Sequence, residues 1–171
     1  ALHGGGIDPA TTELAYTIAH CGDYNYFSFK GMRSKGNNEL HVTSTHYDDQ
    51  IALDLVRGSQ RTVAIHGCEG NESVAYIGGS DDRLIELITE SLEDIGISVR
   101  EAPHHISGTQ ENNIVNMTQT QGGVQLELTA QLRKELFKNR KSSRKNRENK
   151  DNWDDLMYDF ADAMKKAIER A

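Results

Sequence analysis

The sequence predicts an α/β fold: a single domain built on a mostly parallel sheet with helices on its faces. Two observations carry this reading. Short apolar runs such as TVAIH (62–66) and VQLEL (124–128) have the composition of strands, and two of them end in a histidine or glycine edge. Between the strands lie segments of ten or more residues with helical periodicity, the connection that parallel strands require. At 171 residues the chain is long enough to bury a core without a second domain.

The elements follow in order. ALHGGG opens as a strand whose carboxyl end presents His3 before a glycine triplet that lets the backbone turn sharply. Thr11 or Thr12 is expected to cap a helix carrying Leu14, Ala15, Ile18 and Ala19 on one side and ending near Gly22. Tyr24–Phe29 alternates as an aromatic strand, 32–38 is loop by composition, and Leu40–Thr45 is rich in β-formers. Thr62–His66 is a short strand that delivers His66 to Gly67. From Ser80 to Ile95, Leu84, Leu87, Ile88, Leu92 and Ile95 form one stripe, with Ser80 as the expected cap and acidic residues in the first turn. Gly96 stops that helix and Ile97–Glu101 resumes as a strand. Val124–Leu128, entered through Gly122 and Gly123, alternates strictly, setting Val124, Leu126 and Leu128 against Gln125 and Glu127. Residues 139–150 read as a basic loop and 153–170 as a closing amphipathic helix.

Charge is distributed unevenly. Residues 1–132 hold 7 Lys and Arg against 18 Asp and Glu, and residues 133–171 hold 12 against 8. The body is therefore acidic and the tail mildly basic, yet the basic run has almost no interleaved aromatics. That pattern argues for a solvated linker and against a nucleic-acid partner. No window has the roughly 20 apolar residues of a membrane span, so no membrane partner is expected, and no cationic, apolar leader opens the chain. Cys21 and Cys68 are too few for a disulfide scaffold.

The chemistry concentrates at the two histidine-glycine edges. His3 and His66 at neighbouring strand ends, with Asp8 returning past the glycine turn, would give two imidazoles and a carboxylate around one ion. Such a set leaves the fourth position of zinc open, the layout of a catalytic site. Asp8 precedes Pro9, so it has a second reading as a helix cap. Cys68, two residues after His66, has one as a fourth ligand that would close the site. Glu127 is the candidate general base, with an exposed edge-strand glutamate as its plain alternative. In LHVTSTHYDD, His41 and His46 with Asp48 and Asp49 form another conceivable cluster, read here as hydrogen-bonding or substrate-facing. His104 and His105 receive no role.

Taken together, HGGGIDPATTEL, LHVTSTHYDD, AIHG, the NIVN of Asn113–Asn116 and GGVQLEL resemble, in order and spacing, the phage-type poly-γ-glutamate hydrolases. The resemblance implies a fold similar to zinc carboxypeptidases, an open mixed and mostly parallel sheet flanked by helices, with zinc as cofactor on His3, Asp8 and His66, and Glu127 as base. It implies hydrolysis of the γ-glutamyl amide in capsular poly-γ-glutamate outside the cell, by a monomer. Within the same motifs, His46 and Asn116 become substrate-binding candidates. Two positions depart from the family pattern: Asp8 stands where glutamate is usual, and Met117 where an arginine after NIVN is expected to bind a carboxylate. Arg133 or Arg83 is then the candidate replacement. Two other functions remain open at this level. One is a zinc amidohydrolase of small N-acyl amino acids; the other is a non-catalytic polyanion binder using the basic run.

Overall fold

The computed structural model describes residues 1–171. In chain order the regular elements are β1 (Gly4–Gly5), α1 (Thr11–Gly22), β2 (Lys30–Gly31), α2 (Gln50–Arg57), β3 (Val63–Cys68), β4 (Val74–Gly79), α3 (Asp82–Asp94), β5 (Ser98–Glu101), β6 (Val124–Thr129), α4 (Ala130–Glu135), α5 (Arg144–Arg147) and α6 (Asp155–Arg170). Strands β3, β6, β4 and β5 form the main sheet in that spatial order. The outer pairs β3–β6 and β4–β5 are parallel and the central β6–β4 pair is antiparallel. The architecture is the expected mixed α/β sheet with helices.

The strict alternation in β6 decides which face the helices cover. Val124, Leu126 and Leu128 join Ile65, Ala75 and Ile77 on one side of the sheet. Leu14 and Ile18 of α1, Leu84, Leu87, Ile88 and Leu92 of α3, and Met157, Phe160 and Met164 of α6 close over them in one cluster of 24 buried residues. Each large aliphatic side chain removed from water there contributes roughly 1.5–3 kcal/mol. The opposite face carries Gln125 and Glu127 and is covered by connecting segments. That asymmetry leaves one side of the sheet free for chemistry.

Several local expectations give way to tertiary demands. Helix α3 is capped by Asp81, whose carboxylate accepts from the Leu84 amide at 3.0 Å. The expected cap, Ser80, donates to the Asn116 side chain instead. Helix α1 has no side-chain cap: Thr12 accepts from the Gly5 amide and Thr11 donates to the Asp8 carbonyl, so both hydroxyls brace the glycine turn. Tyr24–Phe29 is not a strand, because the available partner, β1, is only two residues long and pairs with Lys30–Gly31. Leu40–Thr45 also has no ladder partner; 3₁₀ turns at Asn37–Leu40 and Ser44–His46 flank a short extended piece. Helix α6 begins at Asp155 rather than 153, capped by Asp154. Ahead of it, Trp153 bridges Phe137 and donates its indole N–H to the Arg147 carbonyl.

The basic run is not a free linker. Arg147 is buried, ion-paired to Glu13 at 3.3 Å, and donates to the carbonyls of Ser142 and Gly5. Its guanidinium therefore fastens this segment onto α1 and the glycine turn, while Arg144 and Lys145 face solvent. No helix is long and apolar enough to cross a membrane.

Candidate metal centre

Strand β3 brings His66 to the sheet position directly opposite Glu127 of β6, and β1 ends beside it. His3, Asp8 and His66 come together, their ligand atoms lying within 4.8 Å of one another. The His3 and His66 Nδ1 atoms are 3.0 Å apart, and His3 Nδ1 is 3.6 Å from Asp8 Oδ2. The glycine turn makes this possible. Gly5 has φ +68°, and a Cβ there would sit 2.7 Å from the Gly31 carbonyl oxygen.

Two of the three donors are held ready to ligate. His3 Nε2 lies 2.7 Å from the Val42 carbonyl oxygen, which can only accept, so Nε2 carries the proton and Nδ1 presents a lone pair. Burial, then the imidazole of His3, holds His66 well below the usual histidine range and so neutral. His66 Nε2 is buried without a partner. Asp8 Oδ2 accepts from the Gly67 amide at 3.1 Å, across the site rather than from the first turn of α1. Asp8 is thus anchored to β3 and is not the cap of its own helix. Cys68 is half-buried, and burial followed by the Glu127 carboxylate pushes its thiol up to about 11. Cys68 does not join the cluster of ligand atoms that His3, Asp8 and His66 form, which leaves the fourth position open.

Glu127 is 6% exposed, unlike an edge-strand glutamate. Burial, reinforced by the Asp8 carboxylate, raises its carboxyl to about 8, against the opposing pull of Gln125 and Arg133. A chain of amides aims it: Asn113 Nδ2 donates to Gln125 Oε1, and Gln125 Nε2 donates to both Glu127 Oε1 and the Ile106 carbonyl. Alternation placed Gln125 on this face, but nothing in the sequence marked Asn113 and Gln125 as the mount of Glu127. His41 is a second unanticipated neighbour, its ring stacked on His3 at 3.8 Å between centroids. A cavity of about 390 Å³ lies elsewhere, lined by apolar residues including Ile18, Phe27, Val56 and Ile65, and holds none of these groups.

The candidate substrate residues fare differently. Arg133 stands beside the site, but its Nε, Nη1 and Nη2 donate to the carbonyls of Leu128, Pro9 and Cys68, so it braces the segments around Asp8 and His66. Arg83 is exposed on α3, paired with Glu86. Since β4 runs antiparallel to β6, α3 begins at the end of the sheet away from Glu127. Asn116 directs its amide to the Gly108 and Gln110 carbonyls and holds that loop. His46 is exposed at the end of its 3₁₀ turn.

Known proteins carry the same framework. A bacteriophage poly-gamma-glutamate hydrolase superposes with a TM-score of 0.93 at 33% identity, over 98% of this chain and 80% of that one. A zinc-free structure of YndL gives 0.90 at 29% identity, over 98% and 81%. The SPbeta prophage-derived UPF0714 protein YoqZ of Bacillus subtilis (strain 168) is 37% identical over 139 residues, 80% of this chain and 50% of that protein. UPF0714 protein YmaC of the same organism is 31% identical over 175 residues, 98% of this chain and 70% of that protein. The chain thus spans about half the length of YoqZ and 54% of UPF0714 protein YndL. With the family model for poly-gamma-glutamate hydrolase matching residues 1–163, the chain belongs to the poly-gamma-glutamate hydrolase family.

Proposed function

We propose that the chain is a zinc-dependent hydrolase that cleaves γ-glutamyl amide bonds of poly-γ-glutamate. The observation that carries this reading is the convergence of His3, Asp8 and His66 beside a buried, amide-mounted Glu127. The donor set fits zinc. Bonds of about 2.0–2.1 Å in a tetrahedron require donors roughly 3.3 Å apart, and the two spacings of 3.0 and 3.6 Å from His3 Nδ1 bracket that value. Two imidazoles with one carboxylate leave a fourth position for a reacting group.

When bound, zinc supplies Lewis acidity that polarises the scissile carbonyl and makes water more acidic. The remaining steps belong to the chain. Glu127, desolvated and held by Gln125, accepts the proton of the attacking water and hands it to the departing nitrogen. Burial raises this carboxyl in the metal-free site, and a cation bound beside it would draw it back down, toward the range in which it can both take a proton and hand it on. Asp8 Oδ2 is tied to Gly67 and His3 Nε2 to Val42, so neither ligand must reorganise during the reaction.

The test is turnover of long poly-γ-glutamate, short γ-glutamyl peptides and N-acyl amino acids by the protein as prepared, after chelation, and after zinc is restored. Polymer cleavage that is lost on chelation and returned by zinc is expected. Cleavage of only the small acyl compounds would assign the neighbouring amidohydrolase activity instead.

A further inference from the structure

The sheet register extends the site beyond its catalytic group. Glu127 stands opposite His66 on one side and Tyr76 on the other, and Tyr76 in turn stands opposite Arg100. His66, Glu127, Tyr76 and Arg100 therefore form one row on the helix-free face, running from the metal ligands to the edge strand β5. With strands about 4.7–4.9 Å apart, Arg100 begins roughly 10 Å from Glu127, within reach for a long side chain. Burial falls along the row: His66 and Glu127 are buried, Tyr76 is half-buried and Arg100 is exposed.

Arg100 is the one cation in the register positions of this face. Its fellows there are Ala64, Cys68, Gln125, Thr129, Val74, Gly78 and Ser98. The surrounding body is acidic, 18 acidic against 7 basic residues over 1–132, so a cation on this face is an uncommon place for an anionic group to bind. The guanidinium is held by the Glu72 carboxylate, Nη1 to Oε2 at 2.7 Å, and Tyr76 is its neighbour across the β4–β5 ladder. Both Arg100 and Glu72 are exposed, and such a pair exchanges readily for another carboxylate.

We propose that Arg100, beside Tyr76 on the ladder and masked by Glu72 in the free protein, is a specificity determinant that binds a free α-carboxylate of the polyglutamate chain. The inference rests on poly-γ-glutamate being the substrate. Every γ-linked unit carries one such carboxylate beside its backbone, so a polymer whose amide lies at Glu127 presents carboxylates along the row. A planar guanidinium takes a carboxylate through two parallel N–H bonds. Glu72 is then a competitor for the same fork, giving way to substrate.

Binding of poly-γ-glutamate to the metal-free protein, measured by calorimetry at low salt, reads this without turnover. Arg100→Gln is expected to weaken binding about tenfold, Arg100→Lys to recover part of it, and Glu72→Gln to tighten it. Arg170→Gln, the same charge change at the end of α6, controls for net charge and leaves binding within twofold. With zinc restored, Arg100→Gln raises KM with little change in kcat. A bracing role for the Arg100–Glu72 pair makes the opposite forecast, since both substitutions would then weaken binding together. That result overturns the proposal, as does unchanged binding in Arg100→Gln or no binding by the wild-type protein. If binding follows the expected order while the zinc-loaded protein cleaves nothing, the hydrolase reading fails and the carboxylate site stands.

Discussion

His66 and Glu127 face each other across the parallel β3–β6 ladder, in the same row and on the same face of the sheet. The candidate metal ligand and the candidate base are therefore fixed by one set of backbone hydrogen bonds. Their separation does not depend on a loop.

That shared burial gives the two groups opposite pH signatures in the metal-free protein. The Glu127 carboxyl is raised from 4.5 to about 8, so the fold prefers it protonated. Its contribution to stability is fully present below about 4.5 and is lost as pH rises through about 8. His66 is depressed, so its contribution is present above about 6.5 and lost as pH falls. Denaturant unfolding of metal-free wild type and Glu127→Gln at pH 5 and pH 9 separates the two. Wild type should lose on the order of a few kcal/mol more than the variant over that interval. Parallel losses would mean that Glu127 is not desolvated.

Gln125 should be worth more than its single side chain suggests. It donates to Glu127 and accepts from Asn113 in buried surroundings, and donates to the Ile106 carbonyl in partly buried ones. Gln125→Leu strands three polar groups at once, and each buried unsatisfied group costs about 1–3 kcal/mol. We expect a lower urea midpoint together with a fall in kcat, because Glu127 loses its mount. Gln125→Glu keeps the shape but sets a second carboxyl against Glu127, and its kcat should fall as well. A variant that loses stability but keeps kcat would make Gln125 a core residue only.

Much of the site is legible in the amino-acid sequence because its ligands occupy chemically awkward places. His3 and His66 each precede glycine at the end of an apolar run, where a histidine has little reason to be buried unless it is used. Glu127 is legible through period-two alternation, which assigns its face without any knowledge of neighbours. Arg133 and Asn116 mislead because sequence reports a donor but not its acceptor. Both are satisfied by backbone carbonyls brought from distant segments, Arg133 by Pro9 and Cys68, Asn116 by Gly108 and Gln110. The aromatic run 24–29 misleads in a related way, since strand propensity needs a partner ladder and β1 supplies only two residues. Strand β4 and helix α2 carry weak signals. The former is nearly all buried and ends in two glycines, so it shows no alternation.

Arg147 and Arg144 make a controlled pair within the basic run. Arg147 is buried against Glu13 and holds the Gly5 carbonyl, whereas Arg144 pairs with Glu148 in solvent. Arg147→Met leaves Glu13 as an uncompensated buried charge, and losses of this kind are about 3–5 kcal/mol. Arg144→Gln should cost no more than about 0.5 kcal/mol. Thermal unfolding of both variants checks the contrast. Equal, small effects would return the segment to the status of a solvated linker.

The ligand set makes a prediction that needs no substrate. His3 is held with its proton on Nε2 by Val42, so its Nδ1 can accept a metal without losing a proton. His66 Nδ1 stands 3.0 Å from that same lone pair and must carry the proton of the contact while no metal is bound. Zinc binding through both Nδ1 atoms therefore requires the His66 proton to move to Nε2, which is buried without a partner. The deprotonated ligands, two imidazoles and Asp8, should also make affinity fall as pH drops below the histidine range. Isothermal titration of the metal-free protein with zinc should give one site per chain. Asp8→Asn keeps an acceptor for the Gly67 amide but removes the charge, and should weaken zinc by tenfold or more with the fold intact. His3→Ala and His66→Ala should each abolish the site. Unaltered stoichiometry and affinity in Asp8→Asn would place the ion elsewhere, because no other carboxylate joins these two imidazoles in a three-ligand cluster.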